Sequence, residues 1–244
     1  MANTRPPTPA PRAPSEGARS ALTRDVGQSE SGDAVGSGHV GERVVLDDTR
    51  IRRALMRIAH EIVESHTDLD SLYLVAIPNG GVPLARRLAA NLESLADCRP
   101  QLGIMDTTLY RDDLATRGTR PRLRRTEMPS SVDEGVVVLV EDVVNTGRTI
   151  RAAMDALMDF GRPRSVKVVA LVDRGHRELP IKIDYVGKNI PTQPGESVVF
   201  RVGETGEPAQ GLADVSGETP LEVVVQTFDA PDAVAGTEGV GDFA

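Results

Sequence analysis

The sequence has a single cysteine, no tryptophan and only 3% aromatic residues among its 244 positions. The lone Cys98 excludes an intramolecular disulfide and a zinc site built from several cysteines, and it fits a reducing cytoplasm. The scarcity of aromatic side chains leaves Val, Leu, Ile and Ala to form the core, as in α/β proteins with buried parallel strands. No apolar run approaches the roughly 20 residues of a membrane span, and the N-terminus lacks the apolar core of a signal peptide. We therefore expect a soluble, cytoplasmic protein without a membrane partner.

The net charge of −8 is distributed unevenly along the chain. Residues 201–244 carry nine acidic residues and one basic residue, which accounts for the whole excess, whereas residues 41–200 are neutral overall. The central region is also rich in arginine, so a basic face can form on it. The overall acidity therefore says little against a nucleic-acid partner.

Composition divides the chain into three parts. Residues 1–40 are rich in Pro, Ala, Ser, Gly and Arg and have no hydrophobic period, which predicts a disordered tail. Residues 41–228 are predicted to form one domain, interrupted by an acidic, glycine-rich surface loop at 203–219. Residues 229–244 are predicted to be a second disordered tail.

Hydrophobic periodicity within the domain predicts alternating helices and strands, starting with folded sequence at Val44. The predicted helices are Ile51–Ser65, Val82–Leu95 and Thr149–Phe160. The predicted strands are Leu72–Ile77, Leu102–Thr107, Val136–Val140, Val166–Val172, Ser197–Val202 and Leu221–Gln226. This alternation favours a mainly parallel central sheet with helices on both faces. The charged, aperiodic stretch Thr108–Ser130 is long for a passive connection and predicts a mobile functional loop, whose arginines at 117–125 serve either solubility or electrostatic attraction.

The segment Val136–Leu157 carries the clearest functional signal. An apolar strand ends in Glu141 and Asp142, a short loop closes with Thr146-Gly147-Arg148-Thr149, and a helix follows at once. Free amides and the positive end of a helix favour a phosphate, and open α/β sheets bind ligands beyond the carboxyl ends of their strands. The segment matches neither G-x-x-x-x-G-K-[ST] nor G-x-G-x-x-G. It indicates a ligand with phosphate and hydroxyl groups, such as a ribose phosphate; the alternative is an ordinary strand–helix turn with polar caps.

This pattern resembles the phosphoribosyl pyrophosphate (PRPP) signature of type I phosphoribosyltransferases, in which two acids are followed by T-G-x-T. Three further segments, Ile51–Glu61, Thr107–Leu114 and Leu171–Pro191, closely resemble the PyrR family of pyrimidine operon regulators. That family combines uracil phosphoribosyltransferase activity with RNA-binding control of pyrimidine genes. The run D-R-G-H-R-E-L-P from Asp173 is the most specific part. The resemblance covers about residues 44–202 and implies a type I phosphoribosyltransferase fold with a small hood near residues 173–202.

The resemblance implies conversion of uracil and PRPP into UMP and pyrophosphate with Mg²⁺. Glu141 and Asp142 would hold the ribose hydroxyls and stabilise positive charge at the anomeric carbon, and a loop bearing Tyr110 and Arg111 would close over the leaving pyrophosphate. The implied PRPP or nucleotide contacts are Asn79, Gly80, Gly81, Tyr110, Val144, Asn145, Thr146, Gly147, Arg148 and Thr149. The implied base pocket is Val172, Asp173 and Arg174, and the implied RNA contacts are Arg53, Arg57, His60, His176 and Arg177. The ligands of Mg²⁺ stay open, with substrate and water holding most of it and Asp142 as a candidate.

Two departures from the family pattern bear on catalysis. The family usually has Thr-Arg-Gly where this chain has Asn79-Gly80-Gly81, so an arginine that binds pyrophosphate is missing. Its loss is expected to cost on the order of 10²–10³ in rate, and Gly80→Arg is expected to restore turnover if this departure is the cause. Asn145 replaces the family's usual tyrosine in the phosphate loop, which is a milder change.

Three functional hypotheses follow. In the first, UMP or UTP in the PRPP site changes affinity for pyrimidine-operon messenger RNA, with catalysis retained or reduced, in a homodimer or larger assembly. In the second, the protein is a salvage enzyme without RNA binding. In the third, it is a nucleotide sensor without catalysis. For the basic face of Arg53, Arg57 and His60, a plain solvated helix surface is the alternative to RNA contact.

Overall fold

Two β-sheets and three α-helices form the part of the chain that the structure describes. The computed structural model describes residues 39–78, 80–112, 126–129, 131–203 and 219–228. The predictions for the two tails, for Asn79, for the arginines at 117–125 and for most of the acidic loop lie outside these residues. No helix within these ranges is long and apolar enough to cross a membrane.

The helices and strands alternate along most of the domain, as predicted. The helices are α1 (Asp48–Ser65), α2 (Gly81–Ala96) and α3 (Arg148–Leu157). The strands are β1 (His39–Leu46), β2 (Leu72–Ala76), β3 (Gln101–Ile104), β4 (Val136–Val144), β5 (Ser165–Asp173), β6 (Tyr185–Asn189), β7 (Glu196–Val202) and β8 (Leu221–Phe228). Short 3₁₀ turns lie at Thr108–Tyr110 and Met158–Phe160.

A five-stranded parallel sheet in the order β3-β2-β4-β5-β6 forms the centre of the fold. Its central strand β4 is apolar on both faces because helices cover both. Val138 and Val140 pack with α1 and α2, whereas Val137 and Leu139 pack with α3. The fold class predicted from the sequence, a mainly parallel sheet between helices, is confirmed.

Strands β1, β8 and β7 form a second, small antiparallel sheet in the order β1-β8-β7. In the described residues its strands pair only with one another. The predicted hood range of 173–202 therefore needs correction: only β7 of that range belongs to the small sheet, and β6 joins the edge of the parallel sheet. The sequence did not reveal β6 because it is short and only Tyr185 in it is buried. At the neck between β7 and β8, the Gly203 amide donates to the Pro220 carbonyl at 2.8 Å.

A nearly buried arginine joins the small sheet to the helices. Arg87 is 8% exposed; its guanidinium donates to Asp48 Oδ1 at 2.7 Å and to the Thr219 carbonyl at 2.5 Å. The Leu221 amide reaches the same carboxylate at 3.0 Å. Burial pushes the pKa of Asp48 upward, but hydrogen bonds from Arg52 and Arg87 lower it on balance. These contacts fix the start of α1, the middle of α2 and the start of β8 relative to one another.

Several element boundaries differ from the sequence prediction. Strand β1, which the sequence did not predict, begins at His39, before the predicted start of folded sequence at Val44, and β3 ends at Ile104 instead of Thr107. Strand β4 continues to Val144, four residues beyond the predicted end at Val140. The polar acids end the hydrophobic run, but pairing with β5 continues past them, since Val143 and Val144 face Val172 and Asp173.

Candidate active site

A cavity of about 350 Å³ lies between the carboxyl end of β4 and the N-terminus of α3. It combines residues from the strand, from the loop that follows, from the segment after the 3₁₀ turn Thr108–Tyr110 and from the segment after β5. The lining residues are Arg111, Glu141, Val143, Val144, Asn145, Thr146, Gly147, Arg148, Thr149, Ile150 and Glu178. Most of the residues predicted from the PRPP-like motif therefore share one cavity.

The loop between β4 and α3 requires a glycine at its last position. Gly147 has φ of +91°, in the left-handed region, and a Cβ there would lie 3.1 Å from Ile181 Cγ1. Helix α3 begins at the next residue, so its first amides have no acceptor within the helix. Together with the positive end of the helix dipole, these amides make a site for an anion such as phosphate.

The two adjacent acids project to opposite sides of the sheet. Successive side chains in a strand alternate between faces, and the preceding residues Leu139 and Val140 pack into the cores on opposite faces of the sheet. Glu141 lies on the α3 side and lines the cavity, whereas Asp142 lies beside Gly80 at the start of α2. The sequence predicted both acids at the ribose; the structure separates them across the strand.

Glu141 is a desolvated carboxylate at the wall of the cavity. It is 8% exposed, and its Oε2 has no hydrogen-bond partner within the described ranges. Burial, and then the charge of Asp142, hold the pKa of Glu141 well above its usual range, while Arg111 acts in the opposite direction. A ligand that donates hydrogen bonds or brings positive charge to this oxygen would relieve an unfavourable state.

Asp142 packs directly against a glycine that takes the place of an expected arginine. A Cβ at Gly80 would lie 2.1 Å from Asp142 Oδ2 and 2.4 Å from Asp142 Cβ. The other oxygen, Oδ1, accepts the Val143 amide at 2.8 Å, and burial raises the pKa of Asp142. A side chain at position 80 therefore requires Asp142 to move, so Gly80→Arg is not the simple repair that the sequence predicted.

The remaining glycine of that turn serves packing. A Cβ at Gly81 would lie 2.4 Å from the Val140 carbonyl oxygen, so this position allows α2 to start against β4. Neither Gly80 nor Gly81 lines the cavity described above, and Asn79 lies outside the described residues.

Tyr110 and Arg111, predicted to act together, point to different places. Arg111 Nη1 donates to Thr149 Oγ1 at 2.7 Å and lines the cavity. The Tyr110 hydroxyl donates to the Asp159 carboxylate, which raises the pKa of Tyr110. Tyr110 thereby lines a separate cavity of about 230 Å³ near the end of α3. Only Arg111 of this pair belongs to the main cavity.

Arg148 is held between two carboxylates that the sequence did not assign to the site. Its Nε lies 2.7 Å from Glu178 Oε2, and its Nη1 lies 2.6 Å from Asp112 Oδ2. Both acids come from segments quoted for the family resemblance. The sequence did not predict these ion pairs, because a carboxylate repels a phosphate and is expected beside a phosphate loop only where an arginine neutralises it.

The predicted base pocket lies next to the cavity without lining it. Val172 is buried, and Asp173 pairs with Val144 in the ladder between β4 and β5. The Arg174 guanidinium donates to Thr192 Oγ1 at 3.0 Å, and burial lowers the pKa of Arg174. These contacts fix the three residues beside the carboxyl end of β4.

The predicted RNA contacts divide into exposed and engaged side chains. Arg53, Arg57 and His60 are exposed on α1, on the side away from its buried residues. Arg57 also donates to the Val186 carbonyl at 2.8 Å. His176 Nε2 lies 3.0 Å from the carbonyl oxygen of Thr192. RNA contact stays a prediction for all of these residues.

A family model described as the phosphoribosyl transferase domain matches residues 44–205. The bifunctional protein PyrR of Pelotomaculum thermopropionicum is 53% identical over 160 residues, which are 66% of this chain and 88% of that relative. The bifunctional protein PyrR of Chloroflexus aurantiacus is 51% identical over 164 residues, covering 67% of this chain and 90% of that relative. The matched range agrees closely with the range of the resemblance seen in the sequence.

Solved structures support the same fold. A hypoxanthine-guanine phosphoribosyltransferase from Bacillus anthracis has a TM-score of 0.52 at 18% identity, covering 64% of this chain and 86% of that chain. A hypoxanthine phosphoribosyltransferase from Trypanosoma cruzi has a TM-score of 0.52 at 20% identity, covering 77% of this chain and 97% of that chain. At these identities the likeness concerns the fold alone.

The contact between Gly80 and Asp142 can be tested with Gly80→Ala. We expect a loss of roughly 1–3 kcal/mol in the free energy of unfolding, because an added Cβ must displace Asp142 or the turn. Gly80 has φ of −90°, so backbone strain does not contribute. Urea unfolding measures the effect, and Gly41→Ala is the control, since nothing lies within 4 Å of its added Cβ. Equal stability of the two variants would contradict the close contact.

The raised pKa of Glu141 predicts a specific pH dependence of stability. The native state holds this proton more tightly than the unfolded chain, so the wild type loses stability as pH rises from the unfolded carboxyl range through the raised pKa. Glu141→Gln cannot ionise, so its melting temperature relative to the wild type should increase from pH 5 to pH 8. Glu64→Gln, on the exposed side of α1, is the control. A pH-independent difference for Glu141→Gln would show that Glu141 is not desolvated.

Proposed function

Because this chain belongs to the phosphoribosyl transferase domain family, in its PyrR branch, we propose that the cavity beside β4 converts uracil and PRPP into UMP and pyrophosphate. The observation that carries the proposal is the meeting of three groups in one cavity. A desolvated carboxylate, Glu141, lies there with a helix N-terminus at Arg148 and a cation, Arg111. A phosphorylated sugar that develops positive charge during reaction needs this combination.

The loop from Val144 to Thr149 is proposed to bind the 5′-phosphate. The first amides of α3 supply hydrogen-bond donors, and the hydroxyls of Thr146 and Thr149 line the same cavity. Arg148 adds a positive charge whose position is set by Asp112 and Glu178. A phosphate would thus meet donors that the fold has already oriented, which lowers the cost of binding.

Glu141 is proposed to accept hydrogen bonds from the ribose hydroxyls. Its unpartnered Oε2 would gain donors when the sugar binds, and the ionised carboxylate would then stabilise positive charge at the anomeric carbon. Asp142, on the other side of the strand, is proposed to act near the start of α2. In this arrangement the two acids have different roles, and only Glu141 binds the ribose hydroxyls.

Mg²⁺ fits this site only with help from the substrate. Within the described residues no group of three or more His, Cys, Asp or Glu could hold a metal ion. Glu141 Oε2 is nevertheless an unpartnered oxygen of the kind that Mg²⁺ prefers, whereas Asp142, the ligand predicted from the sequence, does not line the cavity. The ion, when bound with PRPP, would neutralise charge on the pyrophosphate.

Arg111 is proposed to stabilise the leaving pyrophosphate. It is the one cationic residue between positions 108 and 112, and its bond to Thr149 would be exchanged for a substrate oxygen. Closure of the loop bearing Tyr110 and Arg111 would exclude water from the reacting sugar. This role gains weight because position 80 has no side chain to offer.

The bifunctional hypothesis is favoured over the salvage-only and sensor-only alternatives. The relatives at about 50% identity are bifunctional proteins PyrR, and Glu141, Arg111 and the loop before α3 line one cavity. We propose that UMP or UTP in the cavity changes affinity for pyrimidine-operon messenger RNA, bound by α1 through Arg53, Arg57 and His60. PRPP and messenger RNA are both cytoplasmic, so this compartment is proposed too, as is a homodimer or larger assembly.

Catalysis is tested by UMP formation from uracil and PRPP with Mg²⁺, using the purified protein. We expect turnover, and a loss on the order of 10²–10³ in rate for Glu141→Gln, because the carboxylate contacts charge that develops in the transition state. Asp142→Asn should also reduce turnover strongly. Glu64→Gln, remote from the cavity, should behave as the wild type. Absence of UMP in the wild type, with UMP still binding in calorimetry, would replace this proposal with the sensor hypothesis.

RNA binding is tested by titrating a pyrimidine-operon leader RNA at several salt concentrations. Affinity should fall steeply with salt, rise with added UMP, and lose roughly one unit of salt slope in Arg53→Gln, which removes one phosphate contact. Arg162→Gln, an exposed arginine in the turn before β5, is the matched control. Salt-independent or undetectable binding would favour the salvage enzyme.

A further inference from the structure

Arg177 contacts the phosphate loop, residues 144–149, and its side chain is only 21% exposed. Its Nη1 donates to the Asn145 carbonyl at 2.6 Å and to the Gly175 carbonyl at 3.0 Å. Its Nη2 lies 2.8 Å from Asp173 Oδ2, and its Nε donates to the Ile181 carbonyl at 3.2 Å. One guanidinium thus connects the phosphate loop, the carboxyl end of β5 and the segment that follows.

These contacts use most of what Arg177 can donate. A guanidinium has five N–H groups in a fixed planar arrangement, and four hydrogen bonds to protein acceptors are already made. One N–H remains, so an RNA phosphate could accept one hydrogen bond from Arg177 without displacing these acceptors. The four internal contacts indicate a role inside the protein, and the RNA contact predicted from the sequence stays a prediction.

We propose that Arg177 is a positioning residue for the phosphate loop, which it holds in the conformation that binds the 5′-phosphate. The N–H of a trans peptide points opposite to its carbonyl. While Arg177 holds the Asn145 carbonyl, the Thr146 amide is directed away from Arg177, and both of these loop residues line the cavity. A rotated peptide would instead present a carbonyl oxygen to the phosphate, which repels it.

The segment after Arg177 supports the loop from the same side. The amides of Glu178 and Leu179 donate to the Thr146 carbonyl at 3.1 and 3.2 Å. Ile181 packs where a side chain at Gly147 would otherwise lie. Among these hydrogen bonds to the loop, the one from Arg177 has a charged donor. Hydrogen bonds from a charged donor are stronger than those between neutral groups.

The inference rests on the proposed function for the identity of the ligand, but its structural part can be measured without turnover. Arg177→Gln should increase the hydrogen-exchange rate of the amides in residues 145–149 of the ligand-free protein. It should raise KM for PRPP by about 10- to 100-fold, the effect of losing a charged hydrogen bond, while kcat changes little. Arg177→Lys, which keeps one charged donor, should fall between the wild type and Arg177→Gln.

Arg201→Gln is the matched control. Arg201 is also a partly exposed arginine paired with a carboxylate, Glu42, but it lies in the small sheet. Its variant should lose an ion pair without changing loop exchange or KM for PRPP. A general loss of stability in Arg177→Gln would raise exchange throughout the sheet, whereas loss of positioning raises it first in the loop.

The outcomes separate this inference from the proposed function. If the wild type forms no UMP, the proposed function fails, and faster loop exchange in Arg177→Gln would still support positioning. If the wild type forms UMP while Arg177→Gln has normal KM and normal loop exchange, the positioning role is wrong. Weakened RNA binding by Arg177→Gln without nucleotide, together with a normal KM, would return Arg177 to the RNA surface.

Discussion

Confinement of β4 determines the arrangement of the cavity. The strand is paired with β2 and β5, and helices cover both of its faces, so its pleat cannot shift. A shift of one residue would exchange every side chain between faces and bury Asp142 where Glu141 now lies. The tight turn at Gly147 and the start of α3 then follow at a fixed position. The positions of both acids and of the phosphate loop all depend on this one register.

Local sequence was sufficient for the strand, the loop and the helix that carry the site. The signals lie within one stretch, because turn chemistry and helix caps depend on neighbouring residues. The length of β4 was underestimated, since the strand continues past the acids through pairing of Glu141, Val143 and Val144 with β5. Had that length been known, alternation along the strand would have placed the two acids on opposite faces.

Contacts between distant segments could not be predicted in this way. Arg148 and Glu178 are 30 positions apart, and Arg177 and Asn145 are 32 apart. Charged residues in such runs look equally suited to solvent, RNA or ion pairs until the chain is folded. The family resemblance identified the right segments, but burial and partners were needed to decide what individual side chains do.

The hydrogen bond between Gly203 and Pro220 closes the connection from β7 to β8 at its base, and Arg87 holds the adjoining Thr219 carbonyl. The two ends of the intervening segment are thus fixed by the framework itself. Loop-closure entropy grows only slowly with length, by about 0.6 kcal/mol for each doubling. Insertions, deletions and substitutions between these fixed ends should therefore be tolerated by the framework. The same position suits the attachment of a fluorescent label or a second domain.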